Sequence, residues 1–391
     1  MFTYPGIDEQ SAGQRAQILR TAEVRWLHTA PVREIKDMLG DEPLALLTLF
    51  VSPRSNIAEV VAAALVAFPD TTVAACTTAG EIGQAGYDEG LVVATGYPAT
   101  DFACTALLID NLDGYDPQEI RDRVALDRVR LHDAHPGKPE SFAFLMVDGM
   151  SRREDVLTAT LTPALRDTPL FGASAGDGLD FVQTTVALNG TVRQNAAVLI
   201  QVRSHHRMVV FSHDHFAPSE IQMVVTEADP ERRIVKSINA EPAAREYARI
   251  VGIDPEQLDR FTFASHPVVV RLGDRHHVRA IQQVNDKGEL VFFSAIDEGM
   301  VLTVAEPQNM AAHLRTQLAA LSEKTPFSDI IGCDCILRRI EAEQTQMTRE
   351  MSDVLSEFHV TGFSTYGEQI GPLHVNQTMT GVAFYRREQE P

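Results

Sequence analysis

The 391-residue chain reads as an α/β fold followed by an α+β domain, and three observations predict this. Runs such as Leu44-Ala45-Leu46-Leu47-Thr48-Leu49-Phe50-Val51 are apolar nearly throughout, which suits strands covered on both faces. A β-α-β-β-β order over residues 41–110 returns over 140–203, predicting a duplicated N-terminal unit with mixed sheets. After His213-Asp214-His215 the pattern changes to shorter strands and hairpins bracketed by helices, which predicts an α+β second half.

In the first copy the periodicity predicts a strand at 44–51, a helix at 56–68, a strand at 72–76 and two more strands at 91–97 and 103–109. The second copy has strands at 142–147, 169–173, 184–188 and 196–202 and a helix at 153–165. Residues 110–140 connect the copies, with an amphipathic helix at 117–131 followed by the breaker run Asp133-Ala134-His135-Pro136-Gly137-Lys138-Pro139. Further on, Asn285-Asp286-Lys287-Gly288 is a turn between strands at 278–284 and 290–294. A helix at 307–322, a strand at 329–337, a helix at 341–358 and a last strand at 374–385 complete the chain. Met347, Met351, Val354 and Phe358 recur at helical spacing, a stripe for internal packing or for a homodimer. The domains predicted are an extension at 1–40, a first domain at 41–215 and a second at 216–391.

With 44% hydrophobic residues the chain can bury large cores. A formal charge of −20 without a basic patch argues against nucleic acid or an anionic membrane as partner. No apolar run approaches the roughly twenty residues that span a bilayer, and Met1-Phe2-Thr3-Tyr4-Pro5 lacks a basic leader, so a cytoplasmic protein without membrane insertion is expected. Four cysteines make no disulfide framework, in keeping with a reducing compartment.

One loop recurs three times after strand-like segments: Cys76-Thr77-Thr78-Ala79-Gly80-Glu81, Ala173-Ser174-Ala175-Gly176-Asp177 and Phe363-Ser364-Thr365-Tyr366-Gly367-Glu368. Each passes through a hydroxyl to Gly and a carboxylate. Gly permits positive φ and close backbone approach, and hydroxyls and N–H groups before it can hold a polar ligand, so three copies predict a shared cavity.

These three segments, with Cys335-Ile336-Leu337-Arg338, resemble the signatures of FIST-domain sensory proteins from about residue 40 to 385, a FIST N domain being followed by a FIST C domain. Together with Gly371-Pro372-Leu373-His374-Val375-Asn376-Gln377-Thr378, the chain resembles the bacterial FIST proteins that sense nitric oxide. That resemblance implies haem b and control of a partner histidine kinase, with effects on cyclic-di-GMP and biofilm.

A gas-sensing haem needs a neutral imidazole on iron, an apolar cavity and cations for the propionates. His374, opening an apolar run after the third loop, is the first axial candidate; His313, at the edge of the stripe Met310, Leu314, Leu318 and Leu321, is the second. Arg271, Arg338 and Arg339 are candidates for the propionates, and Thr77, Thr78, Gly80, Ser174, Gly176, Asp177 and Tyr366 for the loop-lined pocket. The alternative is a haem-free sensor of an amino-acid-like molecule, with Thr77, Thr78 and Ser174 holding a carboxylate and Asp177 or Glu81 an amine. Catalysis is not expected, because no G-x-S-x-G, H-E-x-x-H or G-x-x-x-x-G-K-[ST] motif occurs.

Overall fold

The computed structural model describes residues 17–272, 275–323 and 325–386. Its α/β part contains three copies of one unit. Unit one consists of Leu44–Val51, the helix Ile57–Ala67, Thr72–Thr77, a small hairpin (Glu81–Gly83 and Gly86–Asp88) and Leu91–Pro98 and Phe102–Ile109. Unit two repeats this as Glu140–Val147, Glu154–Leu165, Leu170–Ser174, Val186–Leu188 with Thr191–Arg193, Ala197–Ser204 and Arg207–His213. Unit three is Asp329–Cys335, helices Ile336–Gln344 and Thr348–Glu357, Val360–Thr365, Glu368–Ile370 with Leu373–Val375, and Met379–Tyr385.

Each unit builds a six-stranded mixed sheet, and no unit builds it alone. The first strand pairs in parallel with the second and antiparallel with the long strand after the hairpin, as in Phe50 opposite Cys76 on one side and Val93 on the other. The hairpins are exchanged in a ring. That of unit two extends the sheet of unit one (Val186 opposite Cys76), that of unit three extends unit two (Glu368 opposite Ala173), and that of unit one extends unit three (Phe363 opposite Glu81). The closing strands shift likewise, Phe102–Ile109 joining the sheet of unit two and Arg207–His213 that of unit three. Such exchange covers sheet edges that would otherwise present unpaired backbone groups.

The alternation of side chains divides each strand between two cores. Leu46 and Phe50 face a central cluster shared by all three sheets, where Phe50 stacks on Phe363 at 4.5 Å and Phe144 on Phe171 at 4.8 Å. Leu47, Leu49 and Val51 face outward under the helices Pro31–Leu39 and Ile57–Ala67. The apolar run at 44–51 is thus buried on both sides, as its composition predicts.

Between Arg207–His213 and unit three the chain forms an eight-stranded antiparallel sheet, beginning with Phe216–Asp229 and ending with Val301–Pro307. Tyr247, Phe263, Val268 and Leu302 are buried in its core. A small apolar cluster containing Val269, Val278 and Ala305 seats it against Ala79, Ile336, Ile340 and Tyr366 at the loop end of the α/β body.

Several boundaries differ from those predicted. The strand expected at 329–337 stops at Cys335, and Ile336 begins a helix. The helix expected at 341–358 is two helices, broken at Gln346, whose φ is +58°. The last strand expected at 374–385 is interrupted at Asn376-Gln377-Thr378, with Gln377 at φ +49°. Met347, Met351, Val354 and Phe358 pack into the core of unit three, so that stripe serves internal packing.

Candidate functional site

The three Gly-acid loops meet at one end of the α/β body and hydrogen-bond to one another in a ring. Ala79 N donates to Ser364 O (2.8 Å) and Ser364 N to Gly80 O (2.7 Å). Gly176 N donates to Thr77 O (3.1 Å) and Gly178 N to Thr78 O (3.2 Å). Ser174 N donates to Gly367 O (2.8 Å) and Tyr366 N to Ser174 O (3.1 Å). A Cβ on Gly176 would stand 2.6 Å from Ala79 Cβ and 2.7 Å from Ala79 N, so the backbones could not approach so closely with any larger residue.

Most of the hydroxyls are engaged as well, the buried Ser364 Oγ being the exception. Thr78 donates to Glu81 and Thr365 to Glu368 within their own loops, Thr77 Oγ1 accepts from Thr185 N (3.0 Å), and Ser174 Oγ donates to Glu154 Oε1 (3.2 Å). Asp177 accepts from the N–H groups of Phe181, Val182 and Gln183 and from the hydroxyl of Tyr366, whose ring stacks on Phe181 at 4.3 Å. The loops therefore use most of their polar groups in holding one another and their own turns, while Ser364 Oγ and Glu368 Oε2 stay buried without a partner. Motif repetition shows that they belong together but cannot show where their donors point.

Beside this ring lies a cleft of about 350 Å³ between Ser52, Arg54, Gly80, Glu81, Glu89 and the 177–180 turn on one side and Ile336, Arg339, Ile340 and Glu343 on the other. Arg339 is its principal cation. Its Nη1 donates to Asp88 O (3.0 Å), Nη2 to Glu89 Oε1 (2.9 Å) and Nε to Glu343 Oε1 (3.3 Å), and Nη1 lies so close to Gly80 that any Cβ there would collide with it. Arg54 stands 3.8 Å from Glu89 at the rim, with 59% of its side chain exposed. Glu81 is fully buried, and burial pushes its carboxyl up to about 7, against the opposing pull of the Leu91 N–H, Thr78 and Arg339. Cations and carboxylates thus face one small space lined also by Ala79, Ile336 and Ile340. A larger groove of about 790 Å³ lies on the outer helical layer between Pro31–Leu39 and Ile57–Ala67 and shares Arg54 with the cleft.

A second set of buried polar contacts leads from the loops to the antiparallel sheet. Glu154, which accepts from Ser174, also accepts from Arg233 Nη2 at 2.7 Å, and the same nitrogen reaches Asp155 Oδ2 at 3.1 Å. Burial raises the Glu154 carboxyl, but Arg233, with His374 and the hydrogen bonds the carboxyl accepts, holds it below the usual range. Arg279 Nη1 donates to His374 O at 2.9 Å.

The other predicted residues lie elsewhere. Arg338 is fully buried, its guanidinium on Asp334 Oδ1 (2.7 Å) and His215 Nδ1 (2.9 Å), facing away from the cleft lined by Arg339 on the same helix. Arg271 is exposed on Val268–Leu272. His313 is half-buried on Met310–Leu321, and neither it nor His374 lines any of five cavities formed by the described residues.

A haem can be tested against these histidines. His374 is buried and packed on the backbone of Gly367; a Cβ there would collide with its Cε1 and stand 2.9 Å from Nε2, while Nδ1 contacts Gln369 Nε2 at 3.2 Å. A metal bonded to Nε2 at about 2 Å needs a planar opening there for the macrocycle. The residues around His374 leave no such opening and do not fit a haem.

Arg54, Glu89 and Glu343 are cleft residues that the recurring motif does not reveal, because they come from the turn after a strand, the end of a hairpin and a helix that follows both by more than 250 residues. Among the described residues no helix is long and apolar enough to cross a membrane. No curated protein matches this sequence. The FIST N domain model matches residues 45–241 and the FIST C domain model residues 243–371. The two matches follow one another through the repeated units and the antiparallel sheet, and the chain belongs to the FIST family of sensory signal-transduction domains.

Proposed function

We propose that this protein is a haem-free sensor of a small zwitterion of amino-acid type, bound in the cleft between the first and second loops. The observation that carries the reading is the convergence of Arg54 and Arg339 with Glu89 and Glu343 around a space of about 350 Å³. Pockets of a few hundred Å³ with a few convergent polar groups are typical of small-ligand sites. A ligand carboxylate would compete with Glu89 for the guanidinium groups, and a ligand ammonium would find Glu89 or Glu343, whose side chains are half-exposed. Binding that draws Arg339 or the 177–180 turn inward would act on Tyr366 through Asp177 and on the antiparallel sheet through Phe181, whose ring lies 6.3 Å from Phe293. The signal requires only that the ligand favour one arrangement of these contacts over another.

Thermal-shift and calorimetric titration of the full chain with single amino acids, and separately with haemin, test this reading. Stabilisation by one amino acid that is lost in Arg54→Ala is expected. The rival reading, a haem-based nitric oxide sensor acting on a histidine kinase, has in its favour the Nε2 of His374, buried without a hydrogen-bond partner. A stoichiometric Soret band that shifts with nitric oxide and disappears in His374→Ala would establish it and overturn the proposal.

A further inference from the structure

At the opposite end of the α/β body two turns meet. The antiparallel pairing of Phe102–Ile109 with Ala197–Ser204 ends at Phe102 opposite Ser204, and one further step places Asp101 beside His205. Residues 205 and 206 form a bend, so two consecutive imidazoles that would point to opposite faces of a strand lie together, ring centres 4.3 Å apart. His205 Nε2 lies 3.3 Å and His206 Nε2 3.8 Å from the same oxygen, Asp101 Oδ1, and one ligand atom from each residue fits within 4.8 Å of the other two.

We infer that Asp101, His205 and His206 form a binding site for a zinc-class divalent transition-metal ion. Ligand bonds of about 2.0–2.2 Å put the corners of a tetrahedral ion about 3.3–3.6 Å apart, against 3.3 Å and 3.8 Å from the two imidazole nitrogens to Asp101 Oδ1 here. Two imidazoles and one carboxylate leave a fourth position for water, and this donor set selects zinc, cobalt or nickel over calcium or magnesium, which take oxygen. The site is braced. Ser204 Oγ donates to Asp101 O and accepts from His206 N, each at 3.0 Å, and the Phe102 ring lies 6.3 Å from that of His206. Side-chain exposures of 26% for His205, 12% for His206 and 29% for Asp101 leave an entry path.

The ion would clip a turn of unit one to the turn of unit two that leads directly into Arg207–His213, the edge strand of the sheet of unit three. The site stands about seven strand residues, roughly 23 Å, from the Gly-acid loops, so it is separate from the cleft.

The test uses the full chain after chelator treatment and dialysis, titrated with cobalt(II) and then with zinc against a chromophoric chelator. One ion per chain is expected at this site, with visible cobalt bands of a four- or five-coordinate nitrogen–oxygen site and a higher melting temperature. His205→Ala and His206→Ala should each weaken zinc by at least about tenfold, and the double variant should remove this site, while His28→Ala changes nothing. Imidazole nitrogen-15 shifts of the wild type on adding zinc give a readout that needs no variant. Absence of binding, or binding of equal strength in the double variant, overturns the inference.

Discussion

The hydroxyl of Tyr366 in the third loop donates to the carboxylate of Asp177 in the second, closing a contact between residues 189 positions apart in the chain. Asp177 also gathers three backbone N–H groups from the turn that lines the cleft, so Tyr366 holds one end of that turn in place. The same ring touches the surface on which the antiparallel sheet is seated. One tyrosine therefore joins the wall of the cleft to the second sheet system.

Replacing Tyr366 with Phe keeps the stack on Phe181 and removes the hydroxyl. A stability loss of about 1–3 kcal/mol by denaturant unfolding is expected, because the other groups around Asp177 and Gly178 lose a buried partner. Ligand-induced protection of the antiparallel sheet in hydrogen exchange should fall more than ligand affinity does.

Gly80 has φ +136° and lies against Arg339, whereas Gly178 has φ +78° with nothing within 4 Å of a Cβ. Gly80→Ala is expected to cost about 2–4 kcal/mol and to displace Arg339, and Gly178→Ala about 1 kcal/mol from backbone strain alone. Equal costs by chemical denaturation would mean that Arg339 moves aside freely.

The raised carboxyl of Glu81 makes a signed prediction about pH. Its folded value of about 7 lies above the ordinary 4.5, so the stability associated with the protonated form is complete below 4.5 and is lost as pH rises through 7. The stability difference between wild type and Glu81→Gln should therefore shift against the wild type across pH 4.5–7, by up to about 3 kcal/mol. Parallel curves for the two proteins would show that Glu81 titrates normally.

Arg233→Ala leaves Glu154 and Asp155 without their cation. Side-chain exposures of 8% for Arg233 and 3% for Glu154 place this pair among buried ones, for which loss of one partner costs about 3–5 kcal/mol. The variant should also lose stability more steeply with rising pH than the wild type, since Arg233 is what holds the Glu154 carboxyl low. Glu154→Gln combined with Arg233→Met should recover much of the loss in thermal unfolding.

Burial pushes the thiols of Cys76, Cys333 and Cys335 far up and that of Cys104 to about 11. The four free cysteines should thus react slowly with a disulfide reagent in the native protein, Cys104 first because it is the least buried, and all at once after denaturation. A fast native reaction at Cys335 would contradict this and point to a redox role.

Local order alone determined much of this protein: the buried strands, the covering helices, two of the three units and the three loops that mark the site. Apolar periodicity and glycine placement are properties of neighbouring residues, so they survive in the chain as text. The third unit was hidden because the antiparallel sheet separates it from the first two and because its helix is broken near Gln346, which spoils the match in period. Only the tertiary structure decided that the hairpins pass around the ring, that loop hydroxyls and amides bond to one another, and that Arg339 rather than Arg338 faces the cleft. Which donors remain for a ligand depends on partners hundreds of residues away, and a buried polar group takes whichever partner the fold brings to it.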